Sequence, residues 1–255
     1  MNYLIAAYTD VGIKKKTNQD SLLVETADTD QGPVLLGVIC DGMGGLAKGE
    51  VASAILIKAF QDWFHYEFPQ ILYQGMDAGK LRQSWTQLIL DTNVKIANYG
   101  FDLHVDLGTT VVALLIVGTC YYIINVGDSR VYQVGKELRL LTRDQTYVQR
   151  EMDMGRMTQE EASVHPQRNM LLQCVGASNI IEPDFYIGDI DGESVFMLCS
   201  DGFRHIITPQ EFYQFLNPDV LQTEDDMKNA AVYLTELNKQ RREVDNISVA
   251  LIRTF

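Results

Sequence analysis

Basic residues are scarce in this chain: 21 Lys and Arg stand against 34 Asp and Glu, a formal charge of −13 over 255 residues. Phosphate backbones and anionic lipid surfaces are gripped by clustered Lys and Arg, so the deficit argues against nucleic acid and against membrane surfaces as partners. Proline and glycine are few as well, at 6 and 19, which excludes collagen-like and linker compositions. No fixed-period repeat or low-complexity tract interrupts the chain. The opening ten residues have no basic residue ahead of their short apolar stretch and carry Asp10 just after it, so no signal peptide is expected. Cysteine is limited to four, Cys40, Cys120, Cys174 and Cys199, with no C-x-x-C pair. All four are expected to be buried free thiols, as in a reducing cytoplasm.

Charge is missing altogether from residues 107–127. The run is rich in β-branched and aromatic residues and is broken by Gly118-Thr119, so it reads as two buried strands joined by a tight turn, not as a membrane span. Elsewhere, 46% apolar and 22% charged residues describe an ordinary globular chain with a sizeable core. Strand-like runs come in pairs: Ser21–Glu25 with Pro33–Cys40, Thr109–Val117 with Tyr121–Val126, and Arg130–Val134 with Leu138–Leu141. Short turns between strands predict antiparallel sheet, and continuous apolar runs such as Val34–Cys40 predict strands covered on both faces.

Helical stretches separate these pairs. Val51, Ile55, Ala59, Phe60 and Trp63 fall on one helical stripe. Leu81, Trp85, Leu88, Ile89, Thr92 and Ile96 fall on another, with Gly100 placed as its C-cap. A third helix is expected from Thr223, with Asp226 three residues on, to the basic turn Lys239–Arg242. The fold class is therefore α+β in layers. Residues 143–180 are polar, carry the helix signals Gly155 and Thr158-Gln159-Glu160-Glu161, and read as an inserted flap.

Acids stand at the mouths of strands. Val34–Cys40 runs into Asp41-Gly42-Met43-Gly44-Gly45, Ser194–Ser200 into Asp201-Gly202, and Tyr121–Val126 into Gly127-Asp128-Ser129-Arg130. At the opposite ends, Asn18-Gln19-Asp20 opens an early strand and Asp245-Asn246 opens Ile247–Ile252. A lone Asp-Gly is ordinarily a turn, but five aspartates at strand ends exceed what turns call for. Gathered in a partly dry cleft, they would repel one another prohibitively without counter-charge, and hard divalent cations with oxygen ligands supply it. The glycines after Asp41 and Asp201 carry no Cβ to block close approach.

To these are added Gly108-Thr109-Thr110, Leu141-Thr142-Arg143-Asp144, His165-Pro166-Gln167-Arg168-Asn169 and Asp245-Asn246-Ile247-Ser248. In this order, from Asp10 to Ile252, the motifs resemble the type 2C family of metal-dependent protein serine/threonine phosphatases in its bacterial form. The resemblance implies a four-layer αββα sandwich, two antiparallel sheets flanked by helices, with the flap over the cleft and the whole chain, 1–255, as one phosphatase domain. It implies that Asp41 bridges two manganese or magnesium ions, that the Gly42 carbonyl ligates one of them, that Asp201 and Asp245 complete the first ion's shell, and that Asp20 holds metal-bound water. Asp128 would join Asp201 at a weaker third site. A water shared by the two ions would attack phosphorus in line, with no phosphoenzyme. Asp41, Asp201 and Asp245 are then the catalytic carboxylates, and Ser200 a structural neighbour. Partners implied are phosphorylated proteins, the substrates of a serine/threonine kinase; the cysteines point to the cytoplasm, and a monomer is expected because no coiled coil or exposed apolar stripe argues otherwise.

Three departures from the family pattern stand out. Lys15 occupies the place of a phosphate-gripping Arg; it offers a point charge without a bidentate fork, so a weaker grip is expected. His205 occupies the position of an acid that some members give the third metal. Met43 stands where animal members carry a histidine and cannot donate a proton; His165 is the remaining candidate acid, and His65 and His104 have no partner pattern. Of rival readings, a cysteine phosphatase needs Cys-x5-Arg, whereas Cys199–Arg204 is one residue short. A catalytically silent phosphoprotein-binding module would be expected to have lost a core carboxylate. A calcium-binding loop at 189–193 lacks the full ligand spacing and reads as a hairpin turn.

Overall fold

The computed structural model describes residues 1–43, 48–190 and 192–255. Gly44 and Gly45 of the Asp41 motif, and Asp191 of the expected hairpin turn, lie outside the described residues. The chain runs β1 (Tyr3–Asp10), β2 (Ser21–Thr29), β3 (Gly32–Cys40), α1 (Gly49–Tyr66), α2 (Phe68–Tyr73), α3 (Ala78–Leu103), β4 (Val111–Val117), β5 (Cys120–Val126), β6 (Arg130–Val134) and β7 (Leu138–Leu140). It continues with α4 (Tyr147–Asp153), α5 (Gln159–Val164), β8 (Asp184–Asp189), β9 (Ser194–Cys199), α6 (Asp201–Arg204), α7 (Pro209–Leu216), α8 (Glu224–Gln240) and β10 (Ile247–Thr254).

Two five-stranded antiparallel sheets result, ordered β1-β10-β9-β6-β7 and β2-β3-β4-β5-β8. Strand periodicity sorts their side chains into three apolar interfaces. In β3, Val34, Leu36, Val38 and Cys40 face α1 and α3, while Leu35 and Ile39 face the other sheet. In β9 and β10, Val195, Met197, Cys199, Val249 and Leu251 pack under α6, α7 and α8, while Phe196, Leu198, Ala250 and Ile252 face inward. Three interfaces separate four layers, the αββα order expected. Gly37 marks how close the sheets come: a Cβ there would lie 3.2 Å from Ile252 Cδ1.

The charge-free run forms the hairpin β4–β5, with Val117 opposite Cys120, and no helix among the described residues is long and apolar enough to cross a membrane. The third predicted helix begins at the expected residue: Thr223 and Asp226 form a reciprocal capping box. Other details differ from expectation. The helix α3 runs through Gly100 to Leu103 and is capped by His104 at φ 55°; Gly100 is a contact glycine, since a Cβ there would come within 2.6 Å of the Val105 carbonyl. The buried stripe of α1 is Ala52, Leu56, Phe60 and Trp63, one step round from the Val51-Ile55-Ala59 line, which flanks it half-buried. Cys120 is part-exposed, its thiol 3.4 Å from Asp189 Oδ1, whereas the other three cysteines are buried. Two strands, β1 and β8, were not expected.

Residues 143–180 contribute α4 and α5. Thr158 and Glu161 cap α5 reciprocally, and Gly155 takes φ 67° just past α4. The bridge Thr146↔Leu171 closes the segment on itself, and the bridge Thr109↔Val175 ties it to the body.

Candidate active site

Ladder register positions the acids. Ser21 pairs with Cys40, so one further step sets Asp20 across from Asp41. Cys199 is paired with Arg130, so two further steps bring Asp201 level with Asp128. Cys199 also pairs with Val249, and Asp245 sits just ahead of β10 on that flank. The Asp41 backbone is fixed to β4: the Thr110 N–H donates to the Asp41 carbonyl at 2.9 Å, and the Asp41 N–H to Thr110 Oγ1 at 3.1 Å.

The glycines of the two Asp-Gly pairs are set by packing. A Cβ on Gly42 would lie 2.4 Å from the Gln19 carbonyl, and one on Gly202 would lie 2.2 Å from the Asn246 carbonyl. Asn246 also laces the 11–19 loop to the start of β10. Its Nδ2 donates to the carbonyls of Val11 (2.9 Å) and Thr17 (3.2 Å), and its Oδ1 accepts from the Gln19 N–H (3.0 Å). That loop carries Lys15 to the acids, where its Nζ lies 2.8 Å from Asp245 Oδ1.

Asp41, Asp128, Asp201 and Asp245 line one cleft of about 170 Å3, together with Met43, Thr110, Asn169 and Leu171. A groove of about 610 Å3 between α1 and α3 contains none of these acids, and one of about 560 Å3 holds only Asp128 and Asp245 of them, so the unbalanced charge, not size, marks the site. Asp20 is buried beside the cleft, and neither of its carboxylate oxygens has a hydrogen-bond partner. Burial pushes its carboxyl up to about 7; the charges of Asp201 and Asp245 add to the rise, and the nearby hydroxyls of Ser248 and Ser200 oppose it. Burial also drives Asp41 well above the ordinary carboxylate range, with the charges of Asp20, Asp201, Asp128 and Asp245 adding to it. Asp128 reaches about 7 through burial and the charge of Asp201, partly offset by Arg204. Asp201 Oδ1 is likewise buried without a partner.

Among the described residues, no three His, Cys, Asp or Glu side chains close into a finished ligand shell; the acids ring the cleft, and Lys15 holds one of them. Orphaned, buried carboxylate oxygens on Asp20 and Asp201, beside an overcharged Asp41, are nonetheless the donor chemistry that a hard dication satisfies. The residues present fit such an ion.

Residues 13–240 match the family described as Protein phosphatase 2C. The chain belongs to that family. A Listeria monocytogenes serine/threonine phosphatase, stp, is 30% identical over 249 residues, spanning 96% of this chain and 93% of the relative. The Streptococcus pneumoniae protein phosphatase PhpP is 28% identical over 97% of this chain and 96% of its own. Among solved structures, an S. agalactiae serine/threonine phosphatase superposes with a TM-score of 0.84 at 30% identity, covering 98% of this chain and 99% of that one. The catalytic domain of PstP, solved in complex with 2 manganese ions, superposes at 0.77 with 28% identity over 98% and 97%. This phosphatase 2C is a protein serine/threonine phosphatase, and its substrates are phosphoproteins.

Several residues of this phosphatase 2C have roles that sequence reasoning missed. Arg204 donates to both Asp128 and Asp144, and Arg130 grips Asp144 with two bonds of 2.7 Å. Glu243 Oε1 accepts the backbone N–H groups of Val244 (2.7 Å) and Asp245 (3.0 Å), shaping the turn that presents Asp245. Asp144 and Arg130 lay inside quoted motifs; for Arg204 and Glu243 the only signal was a charged residue beside a site acid.

Other candidates fall away. Burial lifts the Cys199 thiol to about 12, which leaves no thiolate for nucleophilic attack. Ser200 Oγ is fully buried and accepts the Ser248 N–H at 3.0 Å, a structural position. His165 lies outside the cleft lining; its Nδ1 accepts the Gln167 N–H, and its ring rests 5.6 Å from that of Tyr147. His65 pairs with Glu25 at 2.7 Å.

Proposed function

We propose that this phosphatase hydrolyses phosphoserine and phosphothreonine in proteins with two divalent cations, Mn2+ or Mg2+, held by Asp20, Asp41, the Gly42 carbonyl, Asp201 and Asp245. The observation that carries the reading is the pair of unpartnered oxygens on buried Asp20, set across from Asp41. Bound there, the cations supply activation of water and charge to offset that building on the phosphoryl oxygens. The chain's own groups do the rest. Asp20 orients water beside Asp41, and Lys15 Nζ donates to a phosphoryl oxygen from its place above Asp245. The Asn246 bonds hold the Lys15 loop in register with β10. Residues 143–180 act as the flap over the cleft, which Asn169 and Leu171 help to line. We read the enzyme as a cytoplasmic monomer, one domain over 1–255, acting on the products of a serine/threonine kinase; four free cysteines agree with a reducing compartment.

The test is hydrolysis of a phosphothreonine peptide with manganese and then with chelator, wild type beside Asp201→Asn. Manganese-dependent turnover that Asp201→Asn abolishes supports the two-ion reading; turnover unaffected by chelator sinks it.

A further inference from the structure

We infer that the guanidinium of Arg204 takes the place of a third cation beside Asp128, so that this phosphatase is built for two ions and not three. The inference rests on the two-ion reading above. The third-site expectation set Asp128 with Asp201 and looked for an acid four residues after Asp201; the chain places Arg204-His205 there.

Arg204 ends α6, whose first residue is Asp201. Its Nη2 donates to the Asp128 carbonyl at 2.9 Å, to Asp128 Oδ2 at 3.3 Å and to Asp144 Oδ2 at 3.3 Å. The side chains of Arg204, Asp128 and Asp144 are only 10%, 9% and 10% exposed, in the wall of a groove of about 560 Å3. A second guanidinium locks the far side, because Arg130 forks onto Asp144 and its Nη1 donates to the Tyr132 hydroxyl at 2.7 Å. Arg204 cannot lose its charge at any pH a protein survives. Withdrawing it would leave the buried Asp128 carboxylate without its guanidinium, Asp144 keeping Arg130, so an ion arriving beside Asp128 would meet a fixed positive charge already in place.

His205 completes the substitution. Its Nε2 lies 3.5 Å from Asp201 Oδ2 and its Nδ1 3.4 Å from Glu243 Oε2. The residue at the expected acid's position therefore links Asp201 to the carboxylate that shapes the Asp245 turn, and offers no oxygen to a metal. On this reading Asp128 is part of the site, but its counter-charge is built into the chain and present at every metal concentration.

The test is equilibrium dialysis of the full chain against manganese into the millimolar range, followed by metal analysis, on wild type, Asp128→Asn and the double variant Arg204→Ser/His205→Asp. Two ions per chain are expected in wild type and in Asp128→Asn, and three in the double variant. Three in wild type falling to two in Asp128→Asn overturns the inference and leaves the two-ion reading standing; none in wild type overturns both. Two in a double variant that melts cooperatively also overturns it. Should the double variant fail to melt cooperatively, wild type and Asp128→Asn decide the matter, since neither removes the buried guanidinium.

Discussion

The ammonium of Lys15 and the carboxylate of Asp245 meet at 2.8 Å, although one sits on an early loop and the other at the head of the last strand. Burial works against the lysine's charge, but the bond to Asp245 and the fields of Asp245, Asp41 and Asp201 outweigh it and hold its pKa above the ordinary value. Lys15→Ala is therefore expected to have two effects of opposite sign. The KM for a phosphopeptide rises about tenfold, roughly 1.4 kcal/mol, as a charge-assisted contact is lost. Manganese binding tightens, because Asp245 is freed. Steady-state kinetics and metal titration read the two separately, and Lys15→Arg should restore KM. An unchanged KM would reduce Lys15 to a partner of Asp245.

Asp20→Asn replaces a buried, unpartnered carboxylate by a neutral group of the same shape. The metal-free protein should become more stable, by a few degrees in Tm, because the cost of burying the charge disappears. The same variant should lose most of the rise in Tm that manganese gives wild type. Differential scanning fluorimetry with chelator and with manganese distinguishes these effects; a Tm lowered in both conditions would contradict the account.

The buried acids also set a pH dependence. Asp20 and Asp128 have ordinary values of 3.8 and folded values of about 7. Between these limits the folded state binds more protons than the unfolded state, so stability falls as pH rises. In chelator, Tm should drop between about pH 4 and about pH 7 and level off above. Manganese should flatten or reverse that slope, since a cation favours the ionised carboxylates.

Gly202→Ala should be costly. The new Cβ would be driven to 2.2 Å from the Asn246 carbonyl, and backbone cannot yield as a flexible side-chain tip does. A loss of about 2 kcal/mol or more is expected in urea unfolding, with activity falling further because Asp201 and Asp245 flank the clash. Asn246→Ala removes three hydrogen bonds to the Lys15 loop and should cost about as much; the two together should show less than additive losses, being neighbours.

Much of this architecture is legible from local chemistry. Capping residues at Thr158 and Thr223 marked helix starts because they bond their own backbone, and the doubly covered strands read as apolar runs. The edge strands β1 and β8 escaped for a physical reason. Each pairs on one side only and is largely part-exposed, and neither shows the alternation of a half-buried strand: Tyr3–Tyr8 is continuously apolar, and Asp184–Asp189 holds only Phe185, Tyr186, Ile187 and Gly188 between its acids. The acids at strand mouths were readable because repulsion needs an explanation. That Arg204 answers Asp128 was not, since the pairing depends on how the β5–β6 crossing meets the end of β9, which no local pattern records.

The interior place of β10 in its sheet, between β1 and β9, has a consequence for biosynthesis. Its partners are β9 and β1, which precedes it by more than two hundred residues, with Tyr3 opposite Thr254. Such long-range pairing forms slowly and cannot begin until β10 has left the ribosome. Asp245 and Asn246 arrive with that strand. A nascent chain that still lacks it holds Asp20, Asp41 and Asp201 but neither the fourth carboxylate nor the clasp on the Lys15 loop. Catalytic competence is therefore expected only once β10 has been made, and a ribosome-stalled chain ending before residue 245 should show no phosphatase activity.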